Sequence, residues 1–168
     1  LLHGEIISRL VDGDFFRIRL GKETQWVRRD PWKRRMTFDR VVFGGECLEE
    51  ALHEIAHVVE IEDPLRALVR DFGFRPPQTE AANARAAQRE IRTVAIQQRL
   101  AEGVGMGSFR ADFYRRGISV VFGFDPPGIQ RLISIELERR TPDEVLQIWE
   151  ERRTLLAERL RINRSRKT

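Results

Sequence analysis

Leu48-Glu49-Glu50-Ala51-Leu52-His53-Glu54-Ile55-Ala56-His57-Val58-Val59 is the stretch from which the fold is read. Leu48, Leu52, Ile55 and Val59 recur at i, i+4, i+7 and i+11, the stripe that one face of a helix buries. Asp63-Pro64 ends this helix. Inside it sits H-E-x-x-H, His53-Glu54-Ile55-Ala56-His57. Residues four apart on a helix stand one above the other, about 6 Å apart along the axis, so both imidazoles can reach one metal ion. Glu54 follows the first histidine and can face the open side of such an ion, where it would handle a proton. The chain has only three histidines, and two of them make this pattern; His3 stands alone.

Two histidines leave a metal short of ligands, and the third is expected from a second helix packed antiparallel on the first. The segment from about Thr79 to Glu102, rich in Ala, Gln and Arg, is that helix, and it offers Glu80, Glu90 and Glu102. Glu80 belongs to the first turn, where a carboxylate answers the helix dipole. Glu90 lies mid-helix with Ala86, Ala87 and Val94 on its side, an awkward place for a carboxylate unless a cation meets it. The expected ligands are therefore His53, His57 and Glu90, with Glu80 as the rival third; Glu60, two turns from His53, is too far along the axis to share the ion. Zinc in this set activates water with Glu54 as general base, as in a metallopeptidase. Ferrous iron in the same set leaves room for O₂, as in an oxygenase. Ligand type alone does not choose between them. Tyr114, the one tyrosine, is a possible oxyanion donor or a plain core residue.

Working outward, a weak strand signal runs through Phe15–Leu20 after the Asp12-Gly13-Asp14 turn, with Gln25–Arg28 as its expected partner. A short helix is expected through Leu65–Val69, before Phe72-Gly73. Gly103-Val104-Gly105-Met106-Gly107 follows a helix and has no strand before it, so the dinucleotide-binding reading fails on context. Residues 109–122 read as helix or strand and Asp125–Gly128 as a turn. Ile129–Arg139 and Pro142–Leu160 read as helices, the latter with Thr141 as N-cap. The predicted fold is mainly α with a small N-terminal β component (α+β), a single metal-dependent catalytic domain over residues 1–168 with a flexible basic tail at 161–168.

Composition narrows the function. With 168 residues, 41% hydrophobic and 33% charged, the chain can bury a core, and whole-chain disorder is excluded. Its one cysteine, Cys47, rules out an internal disulfide and a cysteine-based zinc knuckle. No apolar run is long enough for a membrane helix. Leu1-Leu2-His3-Gly4 lacks the layout of a signal peptide and lacks Met, which suggests a processed start, and the expected address is the cytoplasm. The net charge of +4 is almost all arginine, since only Lys22, Lys33 and Lys167 are lysines. That balance supports electrostatic steering; a dedicated nucleic-acid binder is not expected, though the basic cluster around Trp26 and Trp32 could stack on bases.

Arg40-Val41-Val42-Phe43, Ala51 to His57, Arg66-Ala67-Leu68-Val69-Arg70-Asp71-Phe72-Gly73-Phe74, and Gln88-Arg89-Glu90 with Val94 and Gln97 together resemble the elongation factor P hydroxylase family. The resemblance covers about residues 38–100; the R-V-V-F and D-F-G segments make it specific. It implies a zincin-like metal helix, iron as cofactor, and O₂-dependent monooxygenation of the β-lysylated lysine of elongation factor P, the implied protein partner. It places the metal on His53, His57 and Glu90 and gives Glu54 the role of proton handler. Glu50 or Asp71 would receive the cationic substrate side chain. The chain departs from the family at Val58-Val59, where an aromatic is expected, and at Pro76-Pro77. Two alternatives stand beside this reading: a zinc metallopeptidase, and a non-catalytic, arginine-rich helical binding module.

Overall fold

The computed structural model describes Leu10 and residues 18–20, 41–43, 48–65 and 79–166. The expected Leu65–Val69 helix beyond Leu65, His3, Trp26, Trp32 and Asp71 lie outside the described residues, as does the side chain of Glu50. The described chain is mainly α. Its helices are α1 (Leu48–Glu60), α2 (Glu80–Gly103), α3 (Asp112–Phe122), α4 (Pro126–Leu137) and α5 (Pro142–Ser165). The N-terminal β component is not supported as a layer of the fold. The expected partner strand at 25–28 is outside the described residues. What is described there is two three-residue stretches, Ile18–Leu20 and Val41–Phe43, in parallel register with Ile18 opposite Val41. Such a pair is too short to bury a face.

Local chemistry sets the helix ends. Thr79 caps α2: its side chain accepts from Ala82 N–H at 3.1 Å, and Glu80 stands in the first turn. At the other end, Met106 N–H donates to the Ala101 carbonyl (2.8 Å) and Gly105 N–H to that of Glu102 (3.1 Å), with Gly105 at φ +91°. This is the Schellman ending, which needs a residue free to take positive φ. The Gly-x-Gly-x-Gly segment is thus a helix stop.

One expectation is corrected and one open choice is resolved. Within 109–122, read as helix or strand, Asp112–Phe122 is a helix, ended by Gly123 at φ +73°. Asp125–Gly128 is the start of α4 and not a turn: Asp125 caps it by accepting from Gly128 N–H at 2.6 Å, and Pro126 and Pro127 occupy the first turn, where missing N–H groups leave nothing unsatisfied. Helix α5 runs on past the expected end at Leu160 to Ser165, whose hydroxyl donates to the Ile162 carbonyl at 2.8 Å. The expected start of α5 holds. Thr141 Oγ1 accepts from Glu144 N–H, and Glu144 Oε2 accepts from Thr141 N–H, a capping box.

Contacts group the chain into two compact units. One comprises Leu52–Glu60 and Phe74–Leu146. Its core draws Ile91, Val94 and Ala95 from α2, Ile118 from α3 and Ile129 and Ile133 from α4, with Ala111, and is flanked by Phe109, Tyr114, Phe122, Phe124, Leu132 and Leu137. Arg99 ties α2 to α4: its guanidinium donates to the Leu137 carbonyl at 3.2 and 2.7 Å and pairs with Glu102 at 2.6 Å. That capping satisfies an orphan carbonyl at a helix end. The other unit comprises Leu1–Ala51, Ile61–Gly73 and Gln147–Thr168. There the buried Trp149 donates its indole N–H to the Leu10 carbonyl at 2.5 Å, Arg153 donates to the same oxygen, and Arg152 donates to the Ile61 carbonyl.

Candidate metal centre

Leu52, Ile55, Ala56, Val58 and Val59 are all buried, and His53 and His57 go into the interior with them at 3% and 4% exposure, so α1 is buried around most of its circumference. The contacts of α1 with α2 run His53 with Gln97, His57 with Thr93 and Glu60 with Arg92. Numbers rise on one helix as they fall on the other, so the two are antiparallel, as the sequence predicts. The Arg92 guanidinium donates through Nε and Nη2 to Glu60 Oε1 at 3.1 and 3.0 Å. That pair occupies Glu60 and keeps it out of the histidine site.

This register delivers Glu90 to the histidines. His53 Nε2 lies 3.4 Å from Glu90 Oε2, and His57 Nε2 lies 3.6 Å from Glu90 Oε1. The imidazole centroids are 4.5 Å apart with the rings nearly perpendicular at 86°. The three ligand atoms lie within 4.8 Å of one another. Two donors each about 2.1 Å from a tetrahedral ion are separated by roughly 3.4 Å, so the nitrogen–oxygen spacings suit a first-row divalent metal.

The remote nitrogens decide which atoms face the centre. His53 Nδ1 is 3.2 Å from the amide oxygen of Gln97, an acceptor, so Nδ1 carries the hydrogen. Thr93 donates its own hydroxyl proton to the Arg89 carbonyl at 3.0 Å, which leaves its oxygen to accept from His57 Nδ1 at 3.4 Å. In neutral imidazole the other nitrogen is then bare. Both Nε2 lone pairs therefore point at a carboxylate, an arrangement that repels unless a cation lies between. This is the observation by which the residues present fit a metal.

Electrostatics agree. Burial, with His53 beside it and Arg89 nearby, lowers the His57 imidazole to a pKa of about 3 against the opposing pull of Glu90, so it is neutral and ready to ligate. Burial pushes the Glu90 carboxyl up, but the adjoining His53 and His57 side chains and the charge of Arg89 outweigh that, and it lies below its ordinary value.

Of the residues read from the sequence, His53, His57 and Glu90 come together. Glu80 is exposed at the start of α2, and Glu102 pairs with Arg99. Glu54 is half-buried on α1 and is not one of the three clustered residues. Tyr114 packs on the core and also stacks on His53, with centroids 3.5 Å apart and planes within 9°. Sequence reasoning missed Thr93 and gave Gln97 only as part of a resemblance. Both are completely buried polar residues. With Glu90 they stand at i, i+3 and i+7, and a polar triplet at the spacing of a buried stripe was the available signal.

No family model matches the chain, and no significant match is found among curated proteins or solved structures.

Proposed function

We propose that this chain is a non-haem iron monooxygenase that hydroxylates a lysine side chain of a translation protein, the β-lysylated lysine of elongation factor P, in the cytoplasm. The observation that carries the enzymatic reading is the convergence of His53 Nε2, His57 Nε2 and the Glu90 carboxylate. Two histidines and one carboxylate on one side of an ion leave other positions open, the ligand set of O₂-using iron enzymes. Bound ferrous iron would supply the activation of O₂. In the overall reaction one oxygen atom enters a C–H bond and the other leaves as water, with two electrons and two protons from an external reductant. The chain's own contributions are ligation by His53, His57 and Glu90, orientation of the rings by Gln97 and Thr93, and proton handling by Glu54. The substrate rests on the resemblance of residues 38–100.

The test is mass spectrometry of β-lysylated elongation factor P incubated with the iron-loaded protein, O₂ and a reductant. One added oxygen on the tip lysine is expected, lost in Glu54→Gln, which keeps its metal. An unmodified substrate alongside a full equivalent of bound iron overturns the substrate. Zinc in protein purified without added metal, with peptide cleavage that Glu54→Gln abolishes, replaces the hydroxylase by a metallopeptidase. Absence of any bound metal overturns both enzymatic readings in favour of a binding module.

A further inference from the structure

Among the described residues, uncharged groups meet the remote nitrogens of the two imidazoles. His53 Nδ1 donates to an amide oxygen and His57 Nδ1 to a hydroxyl oxygen. The face of His53 is covered by a phenol ring. Histidine ligands are commonly backed by a carboxylate, which makes the imidazole more basic and the metal richer in electrons. Here the only negative charge in the three-residue cluster is Glu90 itself. Gln97 is the position where this matters most: it has 0% exposure, so a charge placed there would act on the centre without solvent screening. Glutamate has the same shape as glutamine and would keep an acceptor toward His53.

Resting on the metal centre described above, we propose that Gln97 is a positioning residue that tunes that centre: its neutral amide holds His53 in the metal-binding tautomer while withholding the charge that would strengthen the ligand, which sets both the grip on the ion and the ease of its oxidation. A negative charge favours the ferric over the ferrous ion by simple Coulomb attraction. Gln97→Glu therefore tightens metal retention and lowers the reduction potential of bound iron. Gln97→Met, of similar size but with no acceptor, frees the ring and acts in the opposite sense on both.

The experiment measures metal retention by competition with a chelator, and the Fe(III)/Fe(II) potential, in the full chain. Relative to the parent protein, Gln97→Glu is expected to hold cobalt or iron roughly ten-fold more tightly, and Gln97→Met roughly ten- to a hundred-fold more weakly. The potential moves down in the first variant and up in the second. A merely structural role for Gln97 would weaken retention in both variants and give no opposed shift in potential; that result overturns the proposal. So do variants with the parent's affinity and potential. If Gln97→Glu does not fold, the upward shift in Gln97→Met decides alone. A parent protein that takes up no metal brings down the metal centre itself, an outcome distinct from bound metal that ignores residue 97.

Discussion

At residue 90 an acid sits between two imidazoles that both offer lone pairs, and the behaviour of these three side chains is separable. His57→Ala should abolish retention of the metal through desalting, read by elemental analysis. Glu90→Gln should weaken retention, whereas Glu80→Gln, at an exposed first-turn position, should leave it unchanged; the reverse pattern would move the third ligand to Glu80. The metal-free protein should also be acid-sensitive. His57 has a pKa of about 3 in the fold against an ordinary 6.5, so between these values the unfolded chain binds a proton that the native one refuses. Glu90, held below its ordinary value, acts in the same direction as pH falls through the carboxylate range. Stability should thus fall steadily as pH drops below about 6.5, with midpoints in urea lower at pH 5 than at pH 7. In His57→Gln the loss above the carboxylate range should shrink, and an unchanged pH profile would sink the assignment of a buried neutral imidazole.

At the scale of elements, the three glycines closing α2 make different demands. Gly105 holds positive φ, so Gly105→Ala should cost about 1 kcal/mol. A Cβ on Gly103 would meet the Leu146 side chain at 2.5 Å, so Gly103→Ala should cost about 1–3 kcal/mol by overpacking despite alanine's better helix propensity. Gly107 has open space and no such backbone, and Gly107→Ala should be nearly neutral. Denaturant midpoints of the three variants check the order. The helices themselves were legible because caps and periodicity are local: Thr79, Thr141 and the stripe from Leu52 to Val59 needed no partner to be read. The two prolines at 126–127 misled because the same residues serve a turn and a helix start; only the Asp125 cap distinguishes them. His53, His57 and Glu90 were legible because i, i+4 spacing and an isolated carboxylate among alanines carry their meaning along one helix. Thr93, Gln97 and the second role of Tyr114 were not, because what they touch depends on how α1 and α2 are set in register and on where α3 lies.

For the molecule as a whole, an ion bound by ligands from α1 and α2 ties together two helices of one compact unit. Binding to the folded state alone stabilises it by about 2.7 kcal/mol when free metal is a hundred times the dissociation constant. For a chain of this size that corresponds to roughly 5–10 °C in melting temperature. Chelation should lower the melting temperature by that order, and metal should restore it; Glu90→Gln should blunt the response. A melting temperature indifferent to chelator, in protein shown to have carried metal, would mean that the ion binds the unfolded chain equally well. The lone tyrosine of the sequence is also the ring laid flat against His53. Fluorotyrosine incorporated during expression would therefore give a single fluorine resonance, without assignment, from a ring touching the centre. Replacing a diamagnetic ion by a paramagnetic one would displace and broaden that signal, so occupancy and spin state could be followed in solution with the purified chain.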